Sequence, residues 1–398
     1  ALNALVLALT FVRITTSCQQ RDNMAYGAIP GDGTTGAAEA PQQRCKVAVA
    51  ILLCLLTISV VPLANKAVLK RGANGAPLAM TACQLLGAAL LFGLYYVLHS
   101  AATGSLARPT RAELRRKAKN IGPLGVAFGL KLGVTNVGLS LVSVELHVLL
   151  MATDIFWTAL FARLINREVP SPAGALALAG CFVGSCLVST NAIDAVEPGD
   201  APLYAIALNL IGPAFQGIVV ALLRKSATRE IDAENTSYAE FTFLKLCFSA
   251  LAAFPVALVC EGAAAVATVH LETARFAMST LLVSGVQLSF TVLATLTSST
   301  SVGVVGTCKV VPQWLLAFVA NGTSLSPQHL ATHHLQHLAG VVLVTLSALL
   351  WAYSGGAHAR RDTAARVLAE VFDAATPPGS PSRAPSPNSP ALLKLGSF

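Results

Sequence analysis

The stretch at residues 121–164, IGPLGVAFGLKLGVTNVGLSLVSVELHVLLMATDIFWTALFARL, contains two long apolar segments joined by a very short connection near Val142. A segment of about 20 mainly apolar residues is long enough to cross a bilayer as an α-helix. Two such segments with so short a link predict a pair of neighbouring membrane helices of opposite direction.

The composition of the whole chain agrees with this pattern. Its 398 residues are 54% hydrophobic and 12% charged, and the mean hydropathy is +0.65. Soluble domains contain about 25% charged residues, so this chain has too few charges to cover a water-exposed surface. The composition excludes a disordered chain, a collagen and a soluble nucleic-acid binder, and it predicts a polytopic membrane protein.

Ten apolar segments follow one another along the chain. They lie at 47–69, 77–99, 121–141, 144–164, 173–191, 203–223, 239–259, 277–297, 300–320 and 335–354. No stretch of about ten residues alternates between apolar and polar side chains, as a strand of a membrane barrel does. We therefore predict an all-α integral membrane fold of about ten transmembrane helices.

The ten segments divide into two sets of five, at residues 47–191 and 203–354. Very short connections occur at the same place in both sets, near Val142 and near Ser298. An odd number of spans reverses the direction of the second set, so we predict two inverted five-helix repeats. Transporters with such repeats bind their substrate near the midplane, between the halves.

The distribution of Lys and Arg sets the expected orientation. The loops on one side contain clusters such as Arg115, Arg116 and Lys117, whereas the opposite loops contain only Lys70, Arg71 and Arg275. By the positive-inside rule, both termini should face the cytosol.

Two terminal segments lie outside the apolar spans. The chain begins with Ala1 rather than Met, so we expect the N-terminal tail, 1–46, to be partly spurious, with Met24 as an alternative start. Residues 355–398 form a predicted cytosolic tail whose Ser/Pro-rich end should be disordered.

Ionisable residues deep in the apolar segments are the main functional candidates, because each costs about 2.5–3.5 kcal/mol to insert. Lys131 and Asp154 lie at the centres of the third and fourth segments, Lys309 lies near the centre of the ninth, and Lys245 lies a turn off the centre of the seventh. Asp154 and Lys309 are 155 residues apart, at equivalent depth in the two halves. A structural pair of Lys131 with Asp154 is one alternative. Three deep lysines against one aspartate nevertheless predict an anionic substrate, and a phosphate group fits.

Two further residues have both a structural and a functional interpretation. Lys66, near the non-cytosolic end of the first segment, can reach the membrane interface or bind substrate. His147 lies two turns before Asp154 on the same helix face, where it can support proton coupling or simply hydrogen-bond a neighbour. The histidines near 329–337 have no carboxylate or cysteine beside them, so we expect neither a metal site nor a cofactor.

Three stretches resemble a known family. They are Asn65-Lys66 in VPLANKAVLK, residues 136–168, and residues 295–327 (TLTSSTSVGVVGTCKVVPQWLLAFVANGTSLSP), with a Gly-x-x-Lys motif that ends at Lys309. The likeness is to the drug/metabolite transporter superfamily, in the branch of nucleotide-sugar transporters and triose-phosphate (sugar-phosphate) translocators. It covers roughly residues 47–354.

The resemblance implies roles for particular residues. Lys309 and Lys66, with its neighbour Asn65, would bind the phosphates of the substrate, and Lys245 would line the cavity. Three positions depart from the family pattern: Val310 stands where sugar-phosphate translocators have Arg, Leu150 stands where many members have Lys, and Thr153-Asp154 stands in place of the usual Glu-Pro. The missing Arg favours a nucleotide sugar over a sugar phosphate.

The expected function is therefore an antiporter that exchanges a nucleotide sugar for a nucleoside monophosphate in the Golgi or ER membrane. A plastid-type sugar-phosphate/phosphate translocator and a non-transporting membrane scaffold are the alternatives. The sequence contains no paired carboxylates, His-rich motif or nucleophile elbow in a supporting context, so we expect no enzyme. The expected partners are the lipid bilayer and an anionic phosphorylated small molecule, with a homodimer left open and no nucleic acid.

Overall fold

The computed structural model describes residues 36–71, 76–104, 110–142, 144–189, 203–234, 236–269, 273–313, 316, 335–336 and 338–354. Within these ranges the chain is helical and contains no strand, which confirms the predicted all-α class. Both terminal tails beyond these ranges, the 192–202 loop and most of the histidine-containing loop lie outside the described residues. The described residues up to Trp351 belong to one compact unit, which contains the site described below.

Twelve helices are described, here labelled in chain order. They are α1 (Gly36–Arg71), α2 (Pro77–Ala102), α3 (Arg111–Leu141), α4 (Val144–Met151), α5 (Asp154–Asn166), α6 (Pro172–Ser189), α7 (Leu203–Ala227), α8 (Tyr238–Cys260), α9 (Gly262–Thr268), α10 (Thr273–Leu296), α11 (Ser299–Cys308) and α12 (Leu338–Ser354). A π-helical turn, Thr228–Asp232, extends α7.

Seven of the described helical segments are long and apolar enough to cross a membrane. They are Cys45–Leu69, Pro77–Ala102, Arg111–Leu141, Leu146–Asn166, Leu203–Asp232, Tyr238–Cys260 and Ala274–Leu296. Two apolar helices are shorter, Pro172–Val188 and Leu338–Ser354, with 17 residues each. Exposed leucines recur every four residues on the outer face of α2, at Leu86, Leu90, Leu94 and Leu98, as lipid contact requires. These features fit a multi-pass membrane protein.

Polar caps fix where several helices begin. The Thr110 side chain accepts a hydrogen bond from the Glu113 amide (3.2 Å), so α3 begins at Arg111, well before the apolar segment predicted at 121–141. Ser237 caps α8 in the same way through the Glu240 amide (3.2 Å). A capped N-terminus satisfies an amide that would otherwise have no partner, which stabilises the first turn.

The fourth apolar segment is one predicted span but two helices in the structure. Helix α4 ends at Met151 and α5 begins at Asp154, with a turn at 152–153 between them. The ninth segment has a similar interruption, because α11 ends at Cys308 and residues 310–313 are helical again after Lys309. Discontinuous membrane helices leave backbone groups and helix ends at membrane depth, where they can serve a binding site.

Helices from the two predicted halves pack against one another. Helix α8 packs on α2 and α3, α10 packs on α1, and α7 packs on α3 and α5. Large buried side chains such as Leu85, Ile121, Leu124, Phe241 and Leu246 form the main core between them. The same packing leaves a cavity between the halves.

Candidate functional site

A cavity lies between α1, α3, α4 and α5 of the first predicted half and α7, α8, α10 and α11 of the second. It encloses about 1060 Å³, counting the part continuous with solvent. Six residues singled out from the sequence line it: Asn65, Lys131, His147, Asp154, Lys245 and Lys309. Of the sequence-predicted site residues, only Lys66 is outside its described lining.

Lys309 and Asp154 meet across the cavity. The Lys309 Nζ is 3.5 Å from Asp154 Oδ2, and both side chains are nearly buried. The Thr307 hydroxyl donates to the Gly303 carbonyl at 3.0 Å and lies 3.4 Å from the other carboxylate oxygen of Asp154. The sequence offset of 155 residues thus corresponds to a direct contact between the halves. The structure pairs Asp154 with Lys309, and not with Lys131.

Lys131 lies next to this pair on α3. Its electrostatic neighbours are Lys309 and Asp154, but it forms no hydrogen bond and no salt bridge with another described residue. Leu124, Phe128 and Thr135 also line the cavity from α3, one turn or two from Lys131. Residues three to four positions apart share one helix face, so this face of α3 presents a cation among apolar side chains.

Lys245 enters the cavity from α8 and is 1% exposed. Its ammonium group donates to the Thr291 hydroxyl (3.2 Å), approaches the Gln287 carbonyl (3.5 Å) and lies 5.7 Å from the centre of the Phe128 ring. These contacts are neutral, and no described carboxylate forms a salt bridge with it. The present partners of this buried amine are all neutral, so an anion that enters the cavity would stabilise its charged form.

Lys66 has a different environment. Its ammonium group donates to the backbone carbonyls of Leu139 (2.6 Å) and Val142 (2.9 Å) and approaches that of Ser140 (3.5 Å). The last carbonyls of a helix have no partner within the helix. Lys66 therefore caps the C-terminal end of α3, which ties α1 to that end.

Asn65 belongs to a buried polar network that sequence reasoning did not find. Its amide group donates to Asn136 (3.0 Å), and its oxygen accepts from Gln84 (3.0 Å) and from the Ser279 hydroxyl. The Asn136 amide donates in turn to Thr81 (2.8 Å). The network joins α1, α2, α3 and α10. Uncharged polar residues cost less in a membrane than charged ones, so they gave no comparable signal in the sequence.

His147 has a defined tautomer. Both donors of the Asn209 amide are used by the Gly138 and Ala205 carbonyls (3.1 and 2.8 Å), so its oxygen faces His147 Nδ1 at 2.6 Å. An oxygen can only accept, which means that Nδ1 bears the hydrogen. The second ring nitrogen, Nε2, is left for the cavity that His147 lines.

Uncharged polar atoms complete the lining. Thr135 Oγ1 and Gln313 Oε1 are buried, have no hydrogen-bond partner among the described residues, and belong to cavity-lining side chains. Gln216 and Gln287 line the cavity as well. Buried polar atoms nearly always have partners, so these groups are suited to the hydroxyl or base groups of a bound molecule.

Comparisons with known proteins bear on the fold alone. No protein-family model matches the chain, and no curated protein matches it. A solved crystal structure superposes with a TM-score of 0.51 and 14% identity, over 76% of this chain and 98% of the other. A likeness at this level of identity shows a shared fold, and it leaves function to be argued from the cavity.

Proposed function

We propose that this protein is a secondary antiporter of phosphorylated sugars, which exchanges a nucleotide sugar for the matching nucleoside monophosphate. The observation behind this proposal is the excess of positive charge in the cavity. Among the described lining residues, Lys131, Lys245 and Lys309 face the single carboxylate of Asp154. An anionic substrate would neutralise the excess, and lysine is a common point-charge ligand of phosphate.

The same excess gives a reason for exchange rather than free passage. Closing an empty cavity would bury ammonium groups without a counter-charge, which is costly in a low-dielectric interior. Closing it around an anion removes that cost. The carrier should therefore change its orientation readily only when a substrate is bound.

The packing of the helices supports the proposed inverted repeat of 47–191 and 203–354. In the proposed repeat, α7 corresponds to α1 and α10 corresponds to α3. The α1–α10 contact therefore corresponds to the α7–α3 contact, and both are present. Helices α2 and α8 correspond to one another, as do α5 and α11, and the two helices of each pair are in contact. Asp154 and Lys309 lie at equivalent positions of the α5–α11 pair. A midplane site between the halves is typical of such transporters.

The membrane placement belongs to the same proposal. The bias of Lys and Arg favours cytosolic termini, and the family resemblance favours the Golgi or ER membrane. Val310, which stands where sugar-phosphate translocators have Arg, favours a nucleotide sugar over the plastid-type alternative.

Counterflow in proteoliposomes tests the proposal. Vesicles containing the purified chain are preloaded with UMP, GMP, CMP, AMP or inorganic phosphate, and labelled nucleotide sugars or triose phosphate are offered outside. We expect uptake only when one nucleoside monophosphate is inside, which would also identify the base.

The other outcomes discriminate between the alternatives. Exchange of triose phosphate for phosphate would replace the proposal by the sugar-phosphate translocator. Folded protein that exchanges none of these pairs would contradict transport of phosphorylated sugars and favour a scaffold. Protein-free vesicles with the same contents measure the background.

A further inference from the structure

The Asp154 carboxylate is held by two long contacts, at 3.5 Å to Lys309 and 3.4 Å to Thr307. Charge-assisted hydrogen bonds between ammonium and carboxylate groups are normally about 2.7–2.9 Å long. Lys117 shows the tight form in this protein, because Glu113 and Glu240 each approach its Nζ to 2.6 Å. The pair in the cavity is thus loose by comparison.

Helix ends provide each member of this pair with separate support. Asp154 is the first residue of α5, and Lys309 is the C-cap of α11. The N-terminus of a helix stabilises a negative charge, and the C-terminus stabilises a positive one. When the pair separates, neither charge loses all of its stabilisation. The geometry therefore suits a contact that forms and breaks during a transport cycle.

We propose that Asp154 is an internal counter-ion, which occupies Lys309 in the empty carrier, gives way to the substrate anion, and sets the substrate charge that the cavity accepts. The inference rests on the proposed function. It adds a residue that selects substrates by charge and that the family resemblance does not supply, since Thr153-Asp154 stands in place of the family's usual Glu-Pro.

The charges of the described lining define this selection. When all three lysines are protonated, as a bound anion would favour, three lysines and one aspartate leave two positive charges, with His147 in its neutral form. A nucleoside monophosphate carries close to two negative charges at neutral pH, because its second pKa is about 6. The diphosphate of a nucleotide sugar also carries two, one on each phosphate. Either ligand neutralises the cavity, and removal of the Asp154 charge would leave three positive charges to match.

Asp154→Asn tests this inference through a ratio of two affinities. UMP and UDP, or the corresponding pair for the base that counterflow identifies, compete against labelled nucleotide-sugar uptake without divalent cations. We expect the preference for the diphosphate over the monophosphate to rise about tenfold or more, because the additional ligand charge no longer meets a carboxylate. Asp154→Glu should keep the wild-type ratio. Asp232→Asn, at an exposed position outside the cavity lining, is the matched control.

An unchanged ratio in folded Asp154→Asn would overturn the inference. If that variant does not fold, Lys131→Gln/Asp154→Asn restores two net positive charges, and a ratio different from the wild type would count against the inference. A wild-type protein that neither exchanges nor binds any phosphorylated ligand would instead remove the proposed function. The two failures are therefore distinguishable.

Discussion

Lys309 and Lys66 differ in how completely their ammonium groups are bonded. Lys66 is directed at three backbone carbonyls at the end of α3, with the nearest at 2.6 Å. Lys309 has one carboxylate partner at 3.5 Å and lines the cavity. A saturated ammonium group stabilises the fold, whereas a loosely bonded one remains available to a ligand.

We therefore expect Lys309→Gln and Lys66→Gln to have different effects. Lys309→Gln should weaken binding of the phosphorylated substrate by roughly 10- to 100-fold, since hydrogen bonds to charged groups contribute about 1.5–3 kcal/mol. Lys66→Gln should lower the free energy of unfolding by about 1–3 kcal/mol and leave affinity unchanged. Uptake competition and the melting temperature in detergent measure the two effects.

Two further results make this comparison decisive. Lys309→Gln/Asp154→Asn removes the carboxylate that the single variant leaves unneutralised. It should be folded and regain part of the affinity lost in Lys309→Gln, but bind more weakly than the wild type, because the Lys309 ammonium group is still missing. A loss of affinity in Lys66→Gln as large as in Lys309→Gln would place Lys66 in the binding site, as the family resemblance implies.

Depth in the apolar segments was an effective guide at the residue scale. Charge is costly in a membrane, which predicts a functional role for charged residues deep in the segments, and the four deepest, Lys131, Asp154, Lys245 and Lys309, all line one cavity. The pairing of Asp154 could not be derived in the same way, because it depends on how helices from opposite halves approach one another.

At the scale of the elements, hydropathy located the helices better than it located their ends and breaks. The apolar pattern of 144–164 runs without interruption through residues 152–153, where the structure has a turn between α4 and α5. The early start of α3 depends on Thr110, a polar residue outside the apolar window. Breaks and caps are decided by single side chains and tertiary contacts, to which an average over some twenty residues is insensitive.

Close packing of α3 against α8 depends on two glycines four residues apart. A Cβ atom on Gly125 would lie 2.8 Å from the Lys245 carbonyl oxygen, and one on Gly129 would clash with the Ser249 carbonyl. The Ser249 hydroxyl also donates to the Gly125 carbonyl at 2.8 Å. Small residues at this spacing allow two membrane helices to approach closely. This contact positions Lys245 at the cavity.

Gly129→Ala should accordingly destabilise the protein by roughly 1–3 kcal/mol, because the clash is with backbone that can move only if α8 moves. Gly133→Ala is the matched control on the same helix, since a Cβ there meets only the end of the flexible Leu78 side chain, at 3.2 Å. That variant should be neutral or slightly more stable, given the higher helix propensity of alanine. Melting temperatures in detergent measure both. Equal stability of the two variants would contradict the close contact.

Across the whole molecule, two similar contacts join the halves at what we propose are opposite membrane faces. Glu261, just after α8, accepts hydrogen bonds from the Leu78 and Ala79 amides at the start of α2 (2.9 and 2.7 Å). Glu168, just after α5, accepts from the Ser299 and Thr300 amides at the start of α11 (3.0 and 3.2 Å). Each carboxylate caps a helix of the other half, where the N-terminal amides favour a negative charge. The proposed transport cycle requires each contact to break in turn.

A cross-link at one of these contacts should therefore stop exchange. In a background without the native cysteines, Glu168→Cys/Ser299→Cys would place two thiols at the junction of α5 and α11. A short reducible cross-linker between the two thiols, such as a bis-methanethiosulfonate, should reduce counterflow to the background level, because the two helix ends can no longer part to open the cavity on that side, and reduction should restore it. The Glu168→Cys variant, treated in the same way, shows the effect of losing the Glu168 cap alone, and the Ser299→Cys variant shows the effect of the other thiol. Full exchange by the cross-linked protein would mean that α5 and α11 move as one body, and the opening would then have to occur along other contacts between the halves.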